Sequence, residues 1–141
     1  EVTDDYYTLE LGKAKLIEEG NDITIVTYGM GVHWAMDILK NNPDIAADLI
    51  DLRTLVPLDT ETIFSSIEKT NRVIILHEAT TFNGLGGELS ALISENCFEH
   101  LDAPVKRIAS IETPIPFEPQ LEAQYLGKNR LVASIHELLN Y

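Results

Sequence analysis

The stretch ITIVTYGMGVHWAMDILKNNP, residues 23–43, changes its hydrophobic period in the middle, and that change decides the fold. Its first part, residues 23–29, is a β-branched apolar run of the kind buried on both faces of a parallel sheet. After Gly29 and Gly31 the apolar positions become Val32, Ala35, Met36 and Leu39, the i, i+3, i+4, i+7 spacing of one helix face. Asn41, Asn42 and Pro43 stop it. The unit is strand, tight turn, helix.

Working outward, the unit repeats. Residues 48–52 (DLIDL) read as a strand, and Asp59 is a candidate N-cap for a helix carrying Ile63, Phe64 and Ile67. RVIILHE, residues 72–78, is the most strand-like run in the chain. The glycines Gly84, Gly86 and Gly87 follow it, then a helix with Leu89, Leu92, Ile93 and Cys97 on one face. VKRIAS, residues 105–110, is a short strand, and TPIPFEP, residues 113–119, a proline loop. A last helix presents Leu131, Val132, Ile135, Leu138 and Leu139. Upstream, AKLIE at 14–18 is a short strand closed by Gly20, Asn21 and Asp22, and proximity alone makes it a hairpin partner of residues 23–28. Residues 1–12, acidic and tyrosine-rich, read as a linker from a missing upstream domain, which leaves 13–141 as one domain. Strands alternating with amphipathic helices define an α/β domain with a mainly parallel sheet.

Composition narrows the partners. With 10 Lys+Arg against 23 Asp+Glu, the net charge of −13 repels phosphate backbones and anionic membrane surfaces, so nucleic acid and membrane are not expected partners. The same field steers a basic surface inward, although solubility alone also accounts for it. Cys97 is the single cysteine, so no disulfide framework and no cysteine-based zinc site exists, and a reducing compartment fits. No apolar run approaches the roughly 18 residues of a membrane span.

The chemistry-bearing residues form no catalytic constellation. Gly29-Met30-Gly31 opens a helix, but a dinucleotide fingerprint wants a small residue where Trp34 stands. Anion binding at that helix start stays open beside the simpler reading of a tight turn. The glycines after Asn83 lack the lysine of a phosphate-binding loop. His77 and Glu78 are an acid–base pair in principle, yet neighbours on a strand point to opposite faces. His33, His77, His100 and His136 fall in four different elements without metal-ligand spacing. Cys97 on an apolar helix face is by default a small buried hydrophobe. Glu95, Glu99 and Asp102 gather near one helix end, either as solvated charge or as an acidic patch for a basic partner.

Several stretches in order carry a family likeness: LGKA (11–14), EGNDITIVTYGMGVHWA (19–35), DLIDLRTLVPLD (48–59), KTNRVIILHEA (69–79), GLGGELSALI (84–93), LDAPVKRIAS (101–110) and TPIPFEPQLEAQYL (113–126). Together they resemble the C-terminal domain of the β subunit, or β half, of 2-oxo acid dehydrogenase E1 components. These are the pyruvate and branched-chain 2-oxoisovalerate dehydrogenases, within the transketolase C-terminal-domain superfamily. Gly127 stands where the family often has proline, a change in loop stiffness.

The resemblance implies a three-layer α/β/α fold whose five-stranded mixed sheet has order 1-3-2-4-5 with strand 1 antiparallel. That disagrees with the hairpin above. It further implies an oxidoreductase using thiamine diphosphate and Mg, which oxidatively decarboxylates a 2-oxo acid and passes the acyl group to the lipoyl arm of E2. In the family the cofactor and the catalytic residues lie outside this domain, so no catalytic, cofactor-binding or metal residue is expected here. Its implied partners are the E1 α subunit or half, a second β subunit, and the small basic subunit-binding domain of E2. For E2 docking, the family's positions match Asp102 and Tyr141, and the charge argument adds Glu99. The implied compartment is the bacterial cytoplasm, or the mitochondrial matrix in a eukaryote. The alternatives are the same domain of a transketolase or deoxyxylulose-phosphate synthase, or a stand-alone small-anion-binding regulatory module.

Overall fold

The computed structural model describes residues 4–141. The first part of the expected linker, residues 1–3, lies outside the described residues, and residues 4–10 are exposed and form neither helix nor strand. Five strands follow: β1 (Lys15–Glu18), β2 (Ile23–Thr27), β3 (Ala47–Asp51), β4 (Val73–Thr80) and β5 (Lys106–Ser110). The helices are α1 (Met30–Asn41), α2 (Thr60–Thr70), α3 (Leu85–Asn96), α4 (Pro119–Tyr125) and α5 (Leu131–Leu139), with short 3₁₀ turns at Phe98–His100 and Gly127–Arg130.

The sheet order is β1-β3-β2-β4-β5. β2, β3, β4 and β5 run parallel to their neighbours, while β1 pairs antiparallel with β3, Leu16 opposite Ile50. The fold is therefore the α/β sheet that the family likeness implies, and the hairpin expected from proximity does not form. The connector explains why. The Gly20 amide donates to the buried Asp48 carboxylate at 2.9 Å, and the Asp22 amide donates to the Ala46 carbonyl at 2.8 Å. These bonds pull residues 20–22 across the start of β3 and deliver β2 to its other side. Only glycine fits that crossing, because a Cβ on Gly20 would lie 2.1 Å from the Ala46 carbonyl carbon.

Alternation along the strands builds two cores. Ile23, Ile25, Leu49, Ile74, Leu76 and Ile108 face Trp34, Ala35 and Leu39 of α1 and Leu131, Ile135 and Leu138 of α5. Val26, Ile50, Val73 and Ile75 face Ile63 and Ile67 of α2 and Leu89, Ile93 and Cys97 at α3. Continuous apolar runs in β2, β3 and β4 thus follow from burial on both faces. Two details depart from the helical pattern. Met36, expected on the buried face of α1, is exposed, and Trp34 packs into the core instead. The proline loop runs directly into α4, a helix the periodicity did not signal; Glu118 caps it by accepting from the Leu121 amide at 3.0 Å, and Pro119 occupies its first turn.

Polar groups inside the second core are tied together. Thr24 Oγ1 lies 2.7 Å from both Ser66 Oγ and Thr70 Oγ1, and Ser66 donates to Asp48 at 2.6 Å. Lys69 closes the cluster with a 2.6 Å bond to the same carboxylate. Asp59 caps α2 as expected, accepting from the Thr62 amide, and also accepts from the Ala14 amide at 2.9 Å. Burial alone would raise its pKa. The hydrogen bonds from Ala14 and Thr62 and the charge of Lys13 overcome that and hold it below the usual carboxylate range.

Candidate docking site

Asp102 and Tyr141 share one groove, although 38 residues of chain lie between them. The groove, about 460 Å³, opens at the amino edge of the sheet and is floored by Leu101, Ala103, Pro104 and Val105. Phe98 and Tyr141, both strongly exposed, also line it, and Ser90 and Ser94 of α3 contribute hydroxyls.

The lip carrying Asp102 is positioned by Asn71. This residue ends α2 in the left-handed conformation, with φ 59°, which asparagine tolerates better than most residues. Its carbonyl accepts from the Asp102 amide at 2.9 Å, and its side chain donates to the His100 carbonyl at 2.8 Å. The next residue, Arg72, touches both lips. A guanidinium nitrogen stands 3.8 Å from the Asp102 carboxylate, and Nε donates to the Leu138 carbonyl of α5 at 3.0 Å. The Tyr141 amide reaches that same carbonyl at 3.4 Å.

Asp102 is 61% exposed and its pair with Arg72 is long, so the carboxylate keeps most of its hydration and stays open to a second cation. Glu99 sits on the 3₁₀ turn beside Phe98, exposed, and is not among the residues lining the groove. Sequence reasoning missed Arg72, Phe98 and the serines. A lone arginine before a strand carries no signal, and nothing local brings it to α5.

The other sequence candidates separate. His77 is fully buried on the second core, and Glu78 is exposed on the opposite face, as strand alternation requires. The His77 ring stacks with Tyr28, centroids 6.4 Å apart, beneath the first turn of α3. Neither ring nitrogen makes a hydrogen bond of good geometry with any described residue. Burial pushes its pKa down, the Ala79 backbone opposes this, and the Arg107 charge adds to the lowering, so the ring is neutral at pH 7. Gly86 is fixed by this ring, since a Cβ there would stand 2.3 Å from Nε2. Gly31 makes a similar close approach over Thr27 Oγ1, consistent with the tight-turn reading of that glycine segment. Cys97 is buried, and burial raises its pKa, with Glu68 adding to the effect; this keeps the thiol protonated and unreactive. Among the described residues, no group of three or more His, Cys, Asp or Glu side chains is placed to hold a metal ion. No helix among the described residues is long and apolar enough to cross a membrane.

Known proteins agree with this architecture. A family model described as transketolase, C-terminal domain, matches residues 12–130. The β subunit of acetoin:2,6-dichlorophenolindophenol oxidoreductase from Bacillus subtilis is 44% identical over 99% of this chain, which spans 42% of that subunit. The 2-oxoisovalerate dehydrogenase β subunit of Pseudomonas aeruginosa is 40% identical over 99% of this chain and 39% of its own length. A solved split-gene transketolase, titled an inactive β4 tetramer, superposes with a TM-score of 0.81 at 27% identity, covering 95% of this chain and 44% of that one. The chain spans about two fifths of the curated relatives it matches. With the strand order β1-β3-β2-β4-β5 and a family match across most of its length, this chain belongs to the transketolase C-terminal domain family, and its curated relatives include β subunits of 2-oxoisovalerate dehydrogenase and of the pyruvate dehydrogenase E1 component.

Proposed function

We propose that this chain is the assembly and E2-docking domain of a thiamine-diphosphate-dependent 2-oxo acid dehydrogenase E1, and that the groove of Asp102 and Tyr141 receives the basic subunit-binding domain of E2. The observation carrying this reading is the convergence of those two residues on one groove with an apolar floor and aromatic lips. A protein anchor needs both elements: apolar area to bury and a charge to fix its orientation. Asp102 supplies the charge. Phe98 and Tyr141 supply rigid surface, and either ring face accepts a guanidinium or ammonium group. Glu99, exposed outside the groove lining, contributes long-range attraction and little binding energy.

Under this reading the chemistry of the enzyme takes place in other parts of it. Thiamine diphosphate with its Mg supplies the carbanion-stabilising centre when bound. The donor groups of this chain do not fit that role, because among the described residues they converge on no metal position. The work of this domain is to join the α subunit and a second β subunit and to present the docking groove, in the bacterial cytoplasm or the mitochondrial matrix.

The test is calorimetric titration of the chain with an E2 subunit-binding domain at low and physiological salt. Salt-sensitive binding that Asp102→Ala weakens about 10- to 100-fold, with Glu99→Ala changing it under about threefold, supports the groove. Binding unaffected by Asp102→Ala refutes it.

A further inference from the structure

A second pocket lies at the opposite edge of the sheet. Strand order reverses between β2 and β4, because β2 is joined to β3 on one side and β4 to β5 on the other. The carboxyl ends of β2 and β4 therefore flank the crevice where open α/β sheets usually bind their ligands. A cavity of about 350 Å³ opens there, lined by Tyr28 after β2, Glu78 of β4, Ile115 of the proline loop, and Glu122 and Tyr125 of α4.

Its chemistry has one sign. Two carboxylates and two phenol rings line it, and no basic side chain does. Arg107 and Arg130 line a separate groove, where they donate to the carbonyls of Thr81 and Ala109. Among the described residues, the Glu78 and Glu122 carboxylates make no hydrogen bond or ion pair. Tyr28 has its pKa raised by burial and then by the Glu78 charge, so its ring is a neutral, electron-rich face.

Tyr125 adds an independent observation. It lines the cavity, only 6% of it is exposed, its backbone carbonyl is held by the Ile111 amide at 3.2 Å, and its hydroxyl bonds to no described residue. The hydroxyl is not among the fully enclosed unpartnered atoms, so water reaches it, and a polar group entering the cavity can take that water's place. Ile115 on the lining is exposed, and Phe117, two residues further along the same loop, is completely so. Apolar side chains around an anionic pocket suit a protein surface better than a small solute.

We infer that this crevice is a socket for an arginine side chain of a protein partner, its guanidinium held by Glu78 and Glu122 against the rings of Tyr28 and Tyr125, with Ile115 and Phe117 covered by the surrounding apolar surface. Guanidinium suits it better than ammonium, since a flat cation stacks on phenol rings while its N–H groups reach carboxylates at the edge. The socket is separate from the Asp102 groove and stands whether or not that groove binds E2.

The test is an NMR titration of the chain, reading the Tyr28 and Tyr125 ring signals, with N-acetyl-arginine amide as probe and N-acetyl-citrulline amide as its uncharged counterpart. Saturable, arginine-specific shifts with a Kd on the order of millimolar are expected, as befits one side chain without its partner's apolar surround. Glu78→Gln with Glu122→Gln weakens the binding by about tenfold or more, and both positions are exposed, so the variant folds. Equal shifts from citrulline, no saturation, or arginine shifts that survive the double substitution overturn the socket. Micromolar binding of the free probe overturns the protein-partner assignment in favour of a small-molecule site.

Discussion

Replacing Asp48 by alanine tests the physical account of the fold most directly. The carboxylate sits on β3 with its side chain 2% exposed and accepts three hydrogen bonds: from the Gly20 amide at 2.9 Å, Ser66 Oγ at 2.6 Å and Lys69 Nζ at 2.6 Å. These losses are unequal. The buried Gly20 amide has no other acceptor in place, and stranding it costs about 1–3 kcal/mol. Ser66 keeps its bond to Thr24, so its loss is about 0.5 kcal/mol. Lys69 is 40% exposed and rehydrates, which limits the lost ion pair to about 1 kcal/mol. Partly offsetting these, a buried charge no longer has to be desolvated. The net expectation is a loss of about 2–4 kcal/mol in urea denaturation followed by far-ultraviolet circular dichroism at pH 7, with an unchanged denaturant slope. Asp48→Asn keeps an oxygen for the Gly20 amide and loses about half as much. A loss below about 0.5 kcal/mol for alanine, or an asparagine variant as damaged as the alanine one, refutes the claim that this carboxylate steers the β1–β2 connector.

Three further predictions concern the buried histidine and the capping aspartate. Gly86→Ala drives a methyl group into the His77 ring and costs about 2–3 kcal/mol, and combining it with His77→Ala costs clearly less than the two separate losses added; strict additivity places the clash elsewhere. The pKa of His77 is lowered on folding, so its contribution is complete above its unfolded value of about 6.5 and is lost as pH falls toward the folded value. Urea midpoints should decline below about pH 6.5 in the parent and stay flatter in His77→Gln; parallel profiles contradict this. The pKa of Asp59 is also lowered, so its contribution is present above about pH 4 and lost as pH falls through the folded value, and Asp59→Asn removes that late acid-side loss.

The groove of Asp102 and Tyr141 was half legible. Asp102 and Tyr141 could be named through the family likeness, and the structure shows them lining one groove; Glu99, added from charge alone, lies outside that lining. Charge counting finds acidic residues but not the direction in which they point. Arg72 stayed invisible because its role depends on reaching two lips drawn from distant parts of the chain. The crevice at the other edge was missed for a similar reason. Glu78 was noticed, but Glu122 and Tyr125 belong to α4, whose seven residues are too few for a periodic signal.

The sequence by itself determined what depends on neighbours along the chain. The switch at Gly29 from a continuous β-branched apolar run to period 3.6 marked β2 and α1, Asp59 announced its helix, and alternation placed His77 and Glu78 on opposite faces. Each rests on backbone geometry acting over a few residues. Tertiary structure decided which strands lie side by side, which helix residues meet the core, and which side chains share a cavity. Loop closure discriminates only weakly between near and distant partners, so the four-residue connector at 19–22 does not force a hairpin. The bonds from Gly20 to Asp48 and from Asp22 to Ala46 placed β1 against β3, and both reach across more than 20 residues of chain.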